Sequence, residues 1–313
     1  MDKKARIYVS GHTGMVGTSV VNLLREKGYN NLILKTIEEF DLHNQKLVDE
    51  FMAKERPEYV FHFAARVGGI KANIENPAEF LYDNLMIEAN VINASYKHGV
   101  KKLLYLGSSC IYPRQCRQPM KEEYLLSGKL EPTNEGYAIA KIAGLKLCSY
   151  YNKQYNTNFI SLVPPNLYGP NDNFDPKASH VISSLIRKFV EAKNSNSKYI
   201  ELWGTGKARR EFLFVEDLAD ACVYFMEKYD AKDLPEFLNI GSGSDVSIKQ
   251  LAEIVKEKTG FGGKITWNSS FPDGMPRKLM DSSLSKKLGW KAKTNLQEGI
   301  AKTIEWYKNK YRQ

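Results

Sequence analysis

The stretch that most constrains the fold lies at the N-terminus. A short apolar strand, Ile7-Tyr8-Val9, runs into Gly11-x-x-Gly14-x-x-Gly17 and then into a helical stretch from Thr18 to Lys27, closed by Gly28. Glycine permits the tight turn, lets backbone approach a pyrophosphate, and lets the helix pack close to its strand. The start of the helix then offers unpaired N–H groups to phosphate oxygens. A glycine triplet alone also fits an ordinary turn, but its place between a strand and a helix is what a dinucleotide site requires.

The alternation continues along the chain. Leu32-Ile33-Leu34 reads as a second strand, and Gln45 to Arg56 as a helix with Leu47, Val48, Phe51 and Met52 on one face. Pro57 closes that helix, and Tyr59 to Phe63 forms a third strand. Pro77 opens a long helix through Lys97, an early-turn position that suits proline. Leu103 to Leu106 is a fourth strand, Thr133 to Tyr155 is mostly helical, and Phe159 to Val163 is a fifth strand. Strands and helices spaced this way predict an α/β fold of Rossmann type, a doubly wound parallel sheet.

After about residue 165 the organisation changes. Pro164-Pro165, Gly169-Pro170 and Pro176 break the chain into loops. A helix from His180 to Lys193 and a strand around Tyr199 to Trp203 follow, and the later elements read as shorter and less regular. The expected division is a dinucleotide-binding domain over 1–165, with a return segment around 213–240, and a smaller, mainly substrate-binding region over 166–313. Open α/β sheets place their ligands at the carboxyl ends of the strands, where that region would pack.

Charge and composition narrow the partners. The chain has 313 residues and a formal net charge of +9, which points to an anionic partner, either nucleic acid or a phosphorylated small molecule. The basic residues are scattered in pairs such as Lys3-Lys4, Lys101-Lys102, Arg209-Arg210 and Lys286-Lys287, which reads as a solvated surface and not a nucleic-acid stripe. No apolar run approaches the roughly 20 residues that span a bilayer. Met1-Asp2-Lys3-Lys4 lacks the apolar core of a signal peptide, so a cytoplasmic location is expected. Cys110, Cys116, Cys148 and Cys222 form no CxxC pair, and no His stands at zinc-finger spacing, so free thiols and no metal site are expected.

The chemistry is carried by Tyr137-Ala138-Ile139-Ala140-Lys141, whose Tyr and Lys share one helix face. An ammonium beside a phenol lowers its pKa, so the phenol would exchange a proton with a carbonyl oxygen near neutral pH. Gly107-Ser108-Ser109 ends the fourth strand, where a hydroxyl would hydrogen-bond a substrate oxygen. At the end of the second strand, Lys35 suits a ribose 2′-phosphate and favours NADP(H), while Glu38 and Glu39 keep NAD(H) open.

Glycine loop, strand-end serines and YxxxK, in that order, resemble the extended short-chain dehydrogenase/reductase superfamily. More narrowly, the chain resembles the GDP-L-fucose synthase family of GDP-4-keto-6-deoxymannose 3,5-epimerase/4-reductases. The matching segments include Arg66-Val67-Gly68-Gly69-Ile70, Leu106-Gly107-Ser108-Ser109-Cys110-Ile111-Tyr112-Pro113 and Glu131-Pro132-Thr133-Asn134-Glu135. Further on they include Asn166-Leu167-Tyr168-Gly169-Pro170, Ser179-His180-Val181-Ile182, Trp203-Gly204-Thr205-Gly206, Arg209-Arg210-Glu211-Phe212 and Pro272-Asp273-Gly274.

The resemblance implies a reductase triad of Ser108, Tyr137 and Lys141 and an epimerase acid/base pair of Cys110 and His180. On their own, Cys110 reads as a buried thiol and His180 as a residue at a helix N-terminus. Cofactor contacts are implied for Gly11, Thr13, Gly14, Met15, Val16, Gly17, Lys35, Ala64, Ala65, Leu106, Gly107, Ser109, Lys141, Pro164, Asn166, Leu167 and His180. GDP-sugar contacts are implied for Lys188, Trp203, Arg210 and Asp273. Some relatives carry Arg where this chain has Thr13 and Ile37, which leaves Lys35 as the main 2′-phosphate ligand. A GDP-4-keto-6-deoxyheptose or a GDP-4-keto dideoxy sugar is the alternative substrate, and a non-catalytic cofactor sensor is a distant one. The resemblance further implies a homodimer joined through a four-helix bundle, with the helices over 77–98 and 133–155 supplying the face.

Overall fold

A computed structural model describes residues 1–176, 179–271 and 273–311. Its first half alternates β1 (Ile7–Ser10), α1 (Met15–Glu26), β2 (Leu32–Ile33), α2 (Gln45–Glu55) and β3 (Tyr59–His62). Then come α3 (Ile70–Glu75), α4 (Pro77–Lys97), β4 (Lys102–Leu106), α5 (Glu135–Tyr155) and β5 (Phe159–Val163). Every residue of β1 and β5 is buried, as in a parallel strand covered on both faces. Local chemistry sets the helix ends. The Asn44 side chain accepts from Leu47 N at 3.2 Å to start α2, and Arg56 turns left-handed at φ 41° to end it before Pro57.

The second half is β6 (Asn166–Tyr168), α6 (Val181–Asn194), β7 (Tyr199–Trp203), β8 (Arg209–Phe214), α7 (Val215–Lys228) and β9 (Leu238–Asn239). It finishes with β10 (Asp245–Ser247), α8 (Ile248–Thr259), β11 (Lys264–Asn268), β12 (Arg277–Lys278), α9 (Ser283–Lys287) and α10 (Leu296–Tyr311). The main sheet is six-stranded, in the order β2-β1-β3-β4-β5-β9, and all its pairings are parallel. One face carries a core of Val48, Met52, Val91, Ile92 and Leu145 from α2, α4 and α5. The other carries Val20, Leu24, Leu218 and Phe225 from α1 and α7. A third core, including Ile186, Phe189, Leu251, Val255 and Ile304, joins α6, α8 and α10.

Three expectations need correction. The first helix begins at Met15, three residues before Thr18, because the glycine turn feeds directly into it. Leu47 does not share the buried face of Val48 and Met52; it is exposed. The C-terminal elements are more regular than the sequence reading allowed. Helix α8 opens on a Ser247–Gln250 capping box and closes on left-handed Gly260, and α10 runs for 16 residues. No helix among the described residues is long and apolar enough to cross a membrane.

Candidate active site

The sheet reverses its order between β1 and β3, and the ends of these strands are fastened together. The Ser10 hydroxyl lies 2.7 Å from His62 Nδ1 and accepts from the N–H groups of Phe63 and Ala64, each at 3.2 Å. Burial holds the pKa of His62 down at about 3, so its imidazole is neutral. Gly11 turns beside this seam at φ 69°, and a Cβ there would stand 2.7 Å from Ala64 N. Ala64 and Ala65 therefore border the crevice at the switch point, where doubly wound sheets bind nucleotides.

Helix α1 has Gly14 as its N-cap, with no side-chain cap and no acidic residue in its first turn. The first-turn N–H groups, Met15, Val16 and Gly17 among them, face the loop without a competing carboxylate, which suits a diphosphate. These residues fit a dinucleotide. Thr13 is exposed at the loop tip. Lys35 lies beyond β2 with its ammonium 3.1 Å from Glu39 Oε1, and Glu39 Oε2 accepts from Thr36 N at 3.0 Å. A 2′-phosphate would compete with Glu39 for Lys35.

The chemistry converges at the end of β4. Gly107 donates to Leu162 O at 2.8 Å, and Ser109 donates to Pro164 O at 3.1 Å, so this turn is tied to β5. Ser108 caps a single 3₁₀ turn over Ser109–Ile111, its hydroxyl accepting from Cys110 N at 3.4 Å. Tyr137 enters from the first turn of α5, with its ring edge-on to Phe80 at 6.3 Å. Lys141, one turn later, is buried. It donates to Leu106 O at 3.1 Å and lies 2.9 Å from Glu88 Oε1 on α4. Ser108, Cys110, Tyr137 and Lys141 thus share one edge of the sheet.

The charge pattern differs from the sequence expectation. Lys141 was expected to lower the Tyr137 phenol, but the phenol stands well above its ordinary value. Burial is the main cause, negative charge on Cys110 and Glu88 adds to it, and a hydrogen bond with Ser108 opposes it. The Lys141 ammonium is 5.9 Å from the Tyr137 ring centre and is answered at close range by Glu88. Burial also raises the Cys110 thiol, against the pull of the Lys278 ammonium, Ser108 and Lys141.

His180 caps α6 and is exposed; among the described residues no hydrogen bond joins it to Cys110. Its electrostatic neighbour is Asp172, a carboxyl raised by burial and lowered by the charge on His180 and by Ser183. Asn166 donates to Glu211 O at 3.1 Å, and Leu167 follows it in β6.

On the substrate side, Trp203 is largely exposed and stacks on Phe271, centroids 4.2 Å apart at 9°. Lys188 Nζ lies 5.6 Å from the Trp203 ring. Arg210 donates to Arg209 O at 2.8 Å and to Met275 O at 2.5 Å, which orients its guanidinium. The Asp273 carboxylate accepts from Thr205 N and Oγ1, at 2.7 and 2.5 Å, and so closes the Gly204 turn. Pro272 lies outside the described residues. Glu88, Lys278, Asp172 and Phe271 were not singled out from sequence. Only Glu88 left a signal, a carboxylate at helical spacing among buried Asn84, Ile87, Val91 and Ile92.

Residues 7–241 match the NAD dependent epimerase/dehydratase family, and the chain belongs to it. Its nearer likenesses are to GDP-L-fucose synthases and GDP-heptose reductases. It is 53% identical to GDP-L-fucose synthase 1 of Arabidopsis thaliana over 306 residues, 98% of this chain and 94% of that protein. A GDP-6-OMe-4-keto-L-xylo-heptose reductase from C. jejuni superposes with a TM-score of 0.95 at 43% identity, covering 99% of both chains. A GDP-mannoheptose C4 reductase from Campylobacter jejuni, with NADP bound, gives a TM-score of 0.91 at 46% identity over 98% of this chain and 99% of that one.

Proposed function

We propose that the chain is an NADPH-dependent 3,5-epimerase/4-reductase that converts GDP-4-keto-6-deoxy-D-mannose to GDP-L-fucose. The observation that carries this reading is the Cys110 thiol in the same strand-end turn as Ser108, facing the Tyr137–Lys141 helix. A C4 ketone acidifies the protons on C3 and C5. Cys110 and His180 would remove and return them on opposite faces of the enolate. NADPH, when bound, supplies the hydride that C4 receives. Tyr137 delivers its phenolic proton to the C4 oxygen, and Ser108 hydrogen-bonds that oxygen while charge develops on it. Arg210 and Lys188 would hold the diphosphate, and Trp203 would pack near the nucleotide.

Cofactor binding is assigned to residues 1–165 with the return segment around 213–240, and substrate binding mainly to 166–313. Lys35 favours NADPH, and its pairing with Glu39 leaves NADH usable. We read the enzyme as a cytoplasmic homodimer. The outward faces of α4 and α5 carry exposed Tyr82, Tyr96, Ile139, Tyr150 and Tyr155, which suits a four-helix bundle between copies.

The likeness to two GDP-heptose reductases favours a second reading, C4 reduction of a GDP-4-keto-6-deoxyheptose with or without epimerisation. Turnover of GDP-4-keto-6-deoxy-D-mannose against the heptose analogue, each in heavy water with NMR of the product, separates the two: the sugar that is reduced identifies the substrate, and the label reports epimerisation. Deuterium at C3 and C5 supports the epimerase/reductase. Reduction without deuterium leaves a C4 reductase.

A further inference from the structure

Lys141 is the most enclosed charge in the site, and its counter-charge comes from outside the strand-end motifs. Glu88 stands 2.9 Å away, and the two side chains are only 6% and 2% exposed. The Lys141 ammonium and the Tyr105 hydroxyl are the groups that donate toward Glu88. Burial raises this carboxyl, and the charge of Lys141 works against that rise. The pocket is shaped for the pair. A Cβ at Gly144 would stand 2.6 Å from Glu88 Oε2 and 2.5 Å from Tyr105 Oη, so only glycine leaves room for both groups. Leu106 O takes a second ammonium N–H, which fixes the direction of the remaining one.

We propose that Glu88 is a positioning residue for the reductase chemistry, holding the Lys141 ammonium in place and offsetting its charge so that Tyr137 stays protonated as the proton donor. The inference rests on the reductase reading above. An uncompensated ammonium on the same helix face would favour the phenolate, the form that serves oxidation. A carboxylate behind the ammonium favours the phenol, the form that reduction consumes. Other titratable groups face the pair: Tyr105 from β4, His62 from β3, Cys148 from α5 and Cys110 from the strand-end turn. His62 is neutral, and burial raises Tyr105 and Cys148, which keeps them neutral. Burial raises Cys110 as well, and Glu88 is the carboxyl that pairs with Lys141, at 2.9 Å.

Glu88→Gln removes the charge and keeps the shape. Ultraviolet difference titration of Glu88→Gln against Glu88→Gln/Tyr137→Phe reads the ionisation of that one phenol without any substrate. The same comparison on the unsubstituted background gives its reference. The expected result is ionisation at a pH lower by about one unit or more, with the alkaline fall of kcat for reduction moving the same way. NADPH affinity should stay within about threefold, because the amide oxygen still accepts from Lys141. Superimposable phenol titrations would overturn the proposal, whatever happened to thermal stability. If Glu88→Gln does not fold, Glu88→Asp carries the test: its retracted carboxylate should move the phenol part of the way, and an unmoved phenol overturns the idea. A chain that reduces no GDP-4-keto sugar would sink the substrate reading alone, since the phenol titration stands without it.

Discussion

A methyl group added at Gly17 should separate cofactor binding from folding. Its Cβ would stand 2.6 Å from His12 Cα and 2.7 Å from the Gly11 carbonyl carbon, and closer still to that carbonyl oxygen. Carbon atoms rest at about 3.5–4.0 Å, so the glycine turn and α1 must part by about 1 Å. For stability the effects partly offset: alanine gains up to about 1 kcal/mol over glycine in a helix and overpacking costs about 1–3 kcal/mol, a net loss of up to about 2 kcal/mol. For the cofactor they do not. The displaced turn carries the amides that would meet the diphosphate, and each charge-assisted hydrogen bond is worth about 1.5–3 kcal/mol. Losing one or two weak ones makes NADPH bind about 10- to 100-fold less tightly at about 1.4 kcal/mol per tenfold. Nicotinamide fluorescence titration measures the affinity and thermal melting the stability. Gly28→Ala is the control: Gly28 has φ 83° and nothing within 4 Å, so alanine there should cost stability and leave NADPH binding alone. Gly17→Ala binding NADPH within about threefold of the parent would mean that the glycine turn does not hold the diphosphate.

Other outcomes follow from the same geometry. Tyr137→Phe should lower single-turnover reduction by about 10²- to 10⁴-fold while NADPH affinity holds; equal losses in both would place Tyr137 in binding instead. Burial raises the Cys110 thiol, so the thiolate that abstracts a proton becomes more abundant as pH rises. Solvent deuterium exchange into the sugar should therefore climb through and beyond the ordinary thiol range near about 8.5, and a plateau well below it would remove Cys110 as the base. Phe61, fully buried in β3, should cost about 3–5 kcal/mol as Phe61→Ala in urea unfolding.

The first half of the fold was legible because its signals are local. Buried parallel strands write contiguous apolar runs such as Phe159–Val163, and Gly28, Pro57 and Pro77 punctuate the helices. The second half was less so, because its strands are defined by distant partners: Lys278 of β12 pairs with Arg210 of β8, and Tyr168 of β6 with Phe214. Leu47 misled because it falls at helical spacing yet faces solvent. At the site, the motifs located Ser108, Tyr137 and Lys141 but gave the wrong sign for the phenol. Burial sets that sign, and the carboxylate that adds to it, Glu88, lies 53 positions before Lys141 and meets it only through the packing of α4 on α5.

Incubating the purified protein with NADPH and GDP-4-keto-6-deoxy-D-mannose tests the epimerase/reductase activity itself. Following the loss of reduced nicotinamide absorbance and identifying the product by NMR gives the answer. The expected result is one NADPH consumed per sugar and GDP-L-fucose as the product. No NADPH consumption with this sugar, or a product reduced at C4 with the original configuration at C3 and C5, would contradict it.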